Sequence, residues 1–440
     1  MVEIRSNALS ANEAWTQIIE RYNVLSEVER NGIFHIKASE IKEYKEPRLM
    51  AKWDSTTSLP KILRDNKLNI LPNSRSSYIL GDFCLYQEIP ELEERVEKMT
   101  HIELPDYETL DANNITSEAN AINVLLLSGI LDDFLNTGEN AATFNGRMGT
   151  GEFDFSVNTY SHGKQKIQVA NAQCEIDGGF ENESSVVIME AKNVIHKDFN
   201  IRQLYYPYRL WRAKVKKPIR LVFSIYSNMI YRLFEYRFAD IEDLSSIELV
   251  RTKNYSLQDT EITMADLERV RRNTVIRTND KQMGRIKGAI PFIQADSMDR
   301  IINLLENLHN NPMTANEIAE LMDFTPRQSH YYVSAGKYLG LFAEGRNIEN
   351  RNATILSPLG NRVFKMNYKQ RQLKIVELML EHRIFAECFD YIVEGGELPS
   401  QSFVISKMRE YDVCGESCMV RRSQSVLGWL RWMLYLTQIN

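Results

Sequence analysis

The period of the apolar positions changes along this chain and marks out its elements. Residues 6–25, SNALSANEAWTQIIERYNVL, carry apolar side chains at helical spacing and predict a helix. SSYILGDFCLYQEI (76–89) predicts a strand or pair of strands interrupted at Gly81, and PELEERVEKM (90–99) a short charged helix. TSEANAINVLLLSGILDDFLN (116–136) opens with Thr116-Ser117 at an N-cap position and continues as an amphipathic to buried helix. Three strand-like runs follow: GEFDFSV (151–157), KIQVANAQCEIDG (166–178) and SSVVIMEAK (184–192). DFNIRQLYYPYRLWRAK (198–214) predicts an aromatic and basic helix that Pro207 kinks or delays, and PIRLVFSIYSNMIYRLFEYRF (218–238) two more strands. This order predicts an α/β layer built on a mixed sheet.

Beyond about residue 245 the pattern turns helical. SMDRIINLLENL, MTANEIAELMDF and TPRQSHYYVSAGKYLGLF predict three helices, and residues 342–364 a hairpin with polar turn residues. RQLKIVELMLEHRIFAECFDYI begins a mostly helical C-terminal section. Trp429 and Trp432 in its last helix, at i and i+3 on an apolar face, read as core. Five segments follow: an N-terminal α+β region 1–104, an α/β core 105–250, a basic connector 251–294, a helix–hairpin unit 295–368 and a helical region 369–440.

One junction of patterns carries chemistry. The run Val186-Val187-Ile188-Met189 is apolar at every position, as in a strand buried on both faces. Yet it ends on Glu190-Ala191-Lys192. Residues i and i+2 of a strand project from one face, so a carboxylate and an amine sit together at the end of a buried strand. Unpaired buried charge is expensive, so the pair calls for a partner or a ligand. Asp177 lies 13 residues earlier, and a hairpin turning through Gly178-Gly179 would bring it alongside. Two converging carboxylates suit Mg²⁺, a hard cation that takes few protein oxygens and keeps its waters. The Ala191 carbonyl is the candidate third protein ligand, with Lys192 beside the attacking water. A surface salt bridge at a strand end is the plainer alternative. Glu175 and Asp154 stand in reserve as the second carboxylate.

Bulk composition narrows the class. The chain has 440 residues, 43% hydrophobic and 25% charged, ordinary values for a globular protein with several cores. No apolar run is long enough to cross a bilayer, and the N-terminal stretch has no apolar core of a secretory signal. Five scattered cysteines point to reduced thiols in the cytoplasm. Cys414 and Cys418 lack the second close pair a zinc site needs. A net charge of −6 counts against nucleic-acid binding by the chain as a whole. Its basic residues are nonetheless clustered: nine Lys or Arg against one acid over 191–220, and seven against one over 269–287. Contacts to phosphates follow such patches rather than the average.

Asp177, then Glu190-x-Lys192, after a helix bearing Glu118 and before one bearing Gln203, resembles the PD-(D/E)XK nuclease superfamily. EAKN followed by DFNIRQLYYPYRLW, and GAIPFIQAD ahead of a helical half, is similar to a group of bacterial type II restriction endonucleases. The resemblance spans about residues 70–440 and is most specific over 170–230. It implies a restriction-endonuclease-like mixed sheet flanked by helices, metal ligation by Asp177 and Glu190, and water activation by Lys192. It also implies assistance to the metal from Glu118, and orientation of the site by Gln203. Two departures stand out: the residue before Asp177 is Ile176 rather than proline, and the tyrosine usually four beyond the glutamine is replaced by Pro207, with Tyr208 one further on.

Residues 297–364 resemble a winged helix, with Thr325 capping a helix that starts at Pro326. In that comparison Arg327, Gln328, His330 and Tyr331 face a major groove, Lys337 meets a phosphate, and Arg346 and Arg351 lie on the wing. Arg202 is a further DNA-binding candidate, beside the site. A protein-interaction module is the alternative use of such a fold. The resulting expectation is a Mg²⁺-dependent, sequence-specific endonuclease. It hydrolyses phosphodiesters of double-stranded DNA to 5′-phosphate and 3′-hydroxyl ends, as a homodimer, with a cognate DNA methyltransferase as functional partner. A modification-dependent or repair nuclease, or a DNA-binding regulator with an inactive nuclease fold, are the alternatives.

Overall fold

The computed structural model describes residues 9–92, 95–99, 102, 104–277 and 290–439. The basic residues of 278–287, the later half of the second cluster, lie outside them. Near the start, the predicted helix is two, Ala11–Arg21 and Val24–Asn31, the first opened by a Ser10–Glu13 capping box. They pack on a three-stranded antiparallel sheet formed by Ile33–Lys37, Ser77–Gly81 and Asn69–Pro72, in that order. Trp15 anchors this unit, fully buried, with its indole N–H donating to the Met50 carbonyl at 3.0 Å.

The central layer is a seven-stranded mixed sheet. Its order is Glu97–Lys98, Ile247–Ser256, Ile230–Phe238, Ile219–Ser227, Val186–Lys192, Gln173–Glu181 and Ala141–Gly149. The expected charged helix over 90–99 is thus replaced, at its described end, by a two-residue edge strand parallel to Ile247–Ser256. Val186–Lys192 and Ile219–Ser227 are parallel and joined by the Arg202–Arg212 helix, a βαβ unit. Pro207 sits inside that helix without ending it.

Alternation along the buried strand separates the two faces. Ile188 joins the cluster under the Arg202–Arg212 helix with Leu204, Tyr205 and Phe223. Val187, Met189 and Ala191 join the opposite cluster, under Glu118–Leu127 and Ile130–Leu135. Glu190 and Lys192 therefore follow Ile188 onto the helix Arg202–Arg212 face.

Three local expectations are corrected. The second strand-like run breaks at Asn171, whose φ of 58° forces a turn. Lys164–Ala170 pairs instead with Glu152–Asn158 as a separate hairpin, and Gln173–Glu181 enters the main sheet. Gly178 and Gly179 are not the turn of the Asp177 hairpin; they lie within the strand, opposite Met189 and Ile188. They are small because rings cover them. A Cβ on Gly179 would fall 2.3 Å from the Phe144 ring, and one on Gly178 2.9 Å from that of Phe180. The turn is at Asn182–Ser185, where the Asn182 carboxamide oxygen accepts the Ser184 and Ser185 amides at 2.9 and 2.8 Å. The helix predicted over 116–136 is also divided, at Gly129 in the left-handed region.

The C-terminal half is helical. Met298–Asn307, Ala315–Leu321 and Pro326–Tyr338 precede an antiparallel hairpin, Phe342–Arg346 with Asn352–Leu356. Five helices follow, ending with Glu416–Tyr435. Trp429 is fully buried, its indole N–H on the Ala295 carbonyl at 2.9 Å, and Trp432 donates to Asp299 at 3.1 Å. The half is fastened to the sheet through Met298–Asn307. The Glu306 carboxylate accepts from the Asn228 amide (3.0 Å), from Ser227 Oγ (3.2 Å) and from the buried Arg371 guanidinium (2.7 Å). Asn303 Nδ2 donates to the Asn193 carbonyl at 2.7 Å, one residue beyond Lys192. All five cysteines are free, and among the described residues no helix is long and apolar enough to cross a membrane.

Candidate active site

Pairing between Gln173–Glu181 and Val186–Lys192 stops at Met189–Gly178. Past that point the strands part, and the backbone of Glu190–Lys192 loses its neighbour on that side. The vacated edge is taken by a side chain: the Ala191 N–H donates to Asp177 Oδ2 at 3.0 Å. In a strand, a residue's N–H and C=O point to the same side, so the Ala191 carbonyl shares the edge where Asp177 sits.

Asp177, Glu190, Lys192, Glu118 and Gln203 all line one cavity of ≈ 970 Å³. Glu190 is 6% exposed and its Oε1 accepts twice, from Lys192 Nζ at 2.7 Å and from Gln203 Nε2 at 2.5 Å. Burial pushes the Glu190 carboxyl up to about 8; Lys192 opposes the rise and Asp177 adds to it. Burial works against the charge on Lys192, but Glu190, Asp54 and Glu118 outweigh it and hold the amine protonated, well above its ordinary range. Glu118, in the first turn of a helix capped by Ser117, is raised, chiefly by burial. Gln203 Oε1 is buried and accepts no hydrogen bond among the described residues.

Asp54 was not foreseen. It arrives from the N-terminal unit, with its Oδ2 3.4 Å from Lys192 Nζ. Burial raises its carboxyl, but Lys192, Lys52 and Arg202 together hold it below the usual carboxylate range. The next two residues fix its position. Ser55 Oγ, fully buried, donates to Asp323 Oδ2 at 2.5 Å in the turn before the Pro326–Tyr338 helix, and His196 Nδ1 lies 2.7 Å from the same carboxylate. The Thr56 amide donates to Asp198 Oδ1 at 2.7 Å, and its hydroxyl also meets that carboxylate. No periodicity or spacing links residue 54 to residue 192, so only the tertiary fold exposes this partner.

The reserve carboxylates stay out of the cluster. Glu175 lies at the cavity wall, half exposed and held between Arg48 (3.4 Å) and Arg147 (3.2 Å). Asp154 is exposed on the separate hairpin. Tyr208 stacks on Phe238 with centroids 5.6 Å apart, whereas Pro207 lines the cavity. Arg202 lines it too, its guanidinium 5.7 Å from the Tyr206 ring and its Nε buried without a partner among the described residues.

The donor set suits a hard divalent cation. Asp177 and Glu190 supply carboxylate oxygens, the Ala191 carbonyl is on the same edge, and the unpaired Gln203 Oε1 leaves an acceptor for a coordinated water's hydrogen. No three His, Cys, Asp or Glu side chains are grouped to hold a metal among the described residues. Asp177 and Glu190 are the two carboxylates that could hold a divalent cation here.

The C-terminal candidates are a mixed group. Arg327 and His330 are exposed on the Pro326–Tyr338 helix, and Tyr331 sits between the Arg327 and Arg421 guanidiniums. Gln328 is occupied, its Oε1 capping the Thr325 amide at 3.0 Å. Lys337 is paired with Glu344 at 2.9 Å, Arg346 with the Asn350 carbonyl at 3.0 Å, and Arg351 with Glu349. The first basic cluster is partly structural: Arg220 is paired with buried Glu235, and Arg209 packs on Phe153.

Three family models match the chain, each described as a domain of unknown function: DUF6996 over residues 12–80, DUF6997 over 81–256 and DUF7226 over 300–438. No curated protein and no solved structure matches it. The cavity thus draws Asp54 from the first matched segment and Glu118, Asp177, Glu190, Lys192 and Gln203 from the second.

Proposed function

We propose that this chain is a Mg²⁺-dependent endonuclease of the PD-(D/E)XK type that cuts double-stranded DNA in a bacterial restriction system. The observation that carries this is the convergence of Asp177, Glu190 and Lys192 at a parting of two strands, with Gln203 donating to Glu190. Asp177, Glu190 and the Ala191 carbonyl would hold the cation. When bound, Mg²⁺ polarises a phosphoryl oxygen and makes water a better nucleophile.

The chain's own residues do the rest. Gln203 fixes the Glu190 carboxylate. The Lys192 ammonium, between Glu190 and Asp54, orients the attacking water and offsets charge building on the phosphate. Water oxygen bonds to phosphorus as the bond to the 3′ oxygen breaks. The water's proton passes to solvent and the leaving oxygen gains one, giving 5′-phosphate and 3′-hydroxyl ends. Residues 295–368 act in this proposal as a winged helix, with Arg327 and His330 toward the bases and Arg346 and Arg351 on the wing. Cutting both strands symmetrically calls for a homodimer, working in the cytoplasm beside a methyltransferase that protects host DNA.

The test is incubation with unmodified bacteriophage DNA, with and without Mg²⁺. Discrete fragments only with Mg²⁺ are expected, and Lys192→Ala should bind DNA without cutting it. Cleavage of methylated DNA alone would favour the modification-dependent alternative, and a Lys192→Ala protein cutting at the normal rate would remove the site assignment.

A further inference from the structure

The cavity that holds the carboxylates is walled on one side by the N-terminal unit, through Lys42, Arg48, Lys52 and the Arg75 loop. On the other side stand Arg147, from the Ala141–Gly149 strand, and Arg202. Basic side chains from two different units thus share the lining with the acidic cluster, outnumbering Glu46 and Glu175 beside them.

These cations differ in what they already hold. Arg48 and Arg147 approach one carboxylate, Glu175, from opposite sides. Lys42, Lys52 and Arg75 are exposed and have no ion-pair partner among the described residues. Arg75 reaches across to the core: its Nη2 is 3.5 Å from where a Cβ on Gly149 would stand. Arg202, half-buried, adds one buried donor, its Nε, that has no acceptor among the described residues. Exposed cations that share a cleft with the carboxylates but form no close ion pair are free to meet the phosphates of an incoming polyanion, and the orphaned Arg202 Nε calls for an acceptor.

We infer that the N-terminal unit is a phosphate clamp: Lys42, Lys52 and Arg75 bind successive phosphates of the nucleic-acid strand that enters the cleft, and Arg202 takes the phosphate nearest Lys192. This rests on the nuclease proposal and goes beyond it by giving residues 38–75 a role in holding substrate. The contacts are to backbone, so they supply affinity without base specificity. The helix Pro326–Tyr338 remains the site of base contact.

The experiment measures binding of a fluorescent DNA duplex without divalent cation, across a salt series, for the whole chain and for Lys42→Ala/Lys52→Ala/Arg75→Ala. Each phosphate contact contributes about 0.9 to the slope of log K against log salt, so the triple variant should lose about 2.7 from the slope. Raising salt from about 50 to about 200 mM should then weaken the parent about 40-fold more than the variant. Lys42→Arg/Lys52→Arg, which keeps the charges, should retain the parental slope. A folded triple variant with the parental slope would overturn the clamp while leaving the nuclease proposal standing. Failure of the unaltered chain to bind DNA at any salt would overturn both.

Discussion

Replacing Glu306 by alanine should be among the most damaging single changes in the chain, because of what it leaves behind. Glu306 neutralises Arg371, which is 1% exposed, across 2.7 Å, and it accepts the Asn228 amide and the Ser227 hydroxyl. Truncation leaves a buried guanidinium without its anion, a loss of about 3–5 kcal/mol. Two further donors lose their acceptor, at about 1 kcal/mol each. The expected destabilisation is about 5 kcal/mol, read as a fall in the urea midpoint. Arg371→Met should cost a similar amount alone. Together the two changes should cost far less than their sum, because an apolar pair leaves no uncompensated charge. The loss should also reach the candidate site, since Asn303 on the same helix holds the Asn193 carbonyl beside Lys192. Hydrogen exchange at residues 186–193 should quicken in Glu306→Ala. Strictly additive costs in the double-mutant cycle, or a single-variant loss below about 1 kcal/mol, would refute the account of how the helical half is fastened to the sheet.

Glu190→Gln should leave stability within about 1 kcal/mol of the parent, because its carbonyl oxygen can still accept from Lys192 and Gln203, while cleavage with Mg²⁺ disappears. A large stability loss in urea titration would contradict this. Asp54→Ala should lower the single-turnover cleavage rate about 10-fold while DNA affinity changes little, since it removes a partner of Lys192 rather than a DNA contact. Equal losses in rate and affinity would count against a positioning role. Asp266 is held well below the usual carboxylate range, first by Lys369 and then by the Thr263 amide. A depressed carboxyl adds stability that is complete above its unfolded pKa and fades as pH falls through the folded one. Asp266→Asn should therefore be about 1 kcal/mol less stable at neutral pH, and the gap should close below about pH 4. A gap that is constant across this range would rule out the linkage.

Much of the candidate site's grouping was legible because it is local in sequence. An all-apolar strand ending in Glu190 and Lys192 announces its buried charges, and one crossover helix is enough to bring Gln203 over Glu190. The strands flanking the sheet were harder. Ile247–Ser256 is largely exposed over its first half, Leu249 and Val250 included, so its apolar positions do not mark a buried face. The double glycine read as a turn because turn chemistry is the common reason for glycine. Here the reason is crowding by Phe144 and Phe180, which involves residues a strand away. Asp54 was invisible for a deeper reason: its role depends on a contact across 138 residues that no periodic signal encodes.

Residues 54–56 bear on how this chain can be recombined. The family matches divide at residue 80, which suggests a natural place to exchange one N-terminal unit for another. Yet Asp54, Ser55 and Thr56 hold partners at Lys192, Asp323 and Asp198, in the core and the helical half. A foreign unit joined at residue 81 would leave two buried carboxylates, Asp198 and Asp323, without their hydroxyl donors. Such a chimera would take its N-terminal unit from one parent and a mismatched socket from the other. A working exchange has to carry Asp198, His196 and Asp323 along with the segment that meets them, so the heritable module is defined by its buried contacts rather than by a stretch of continuous sequence.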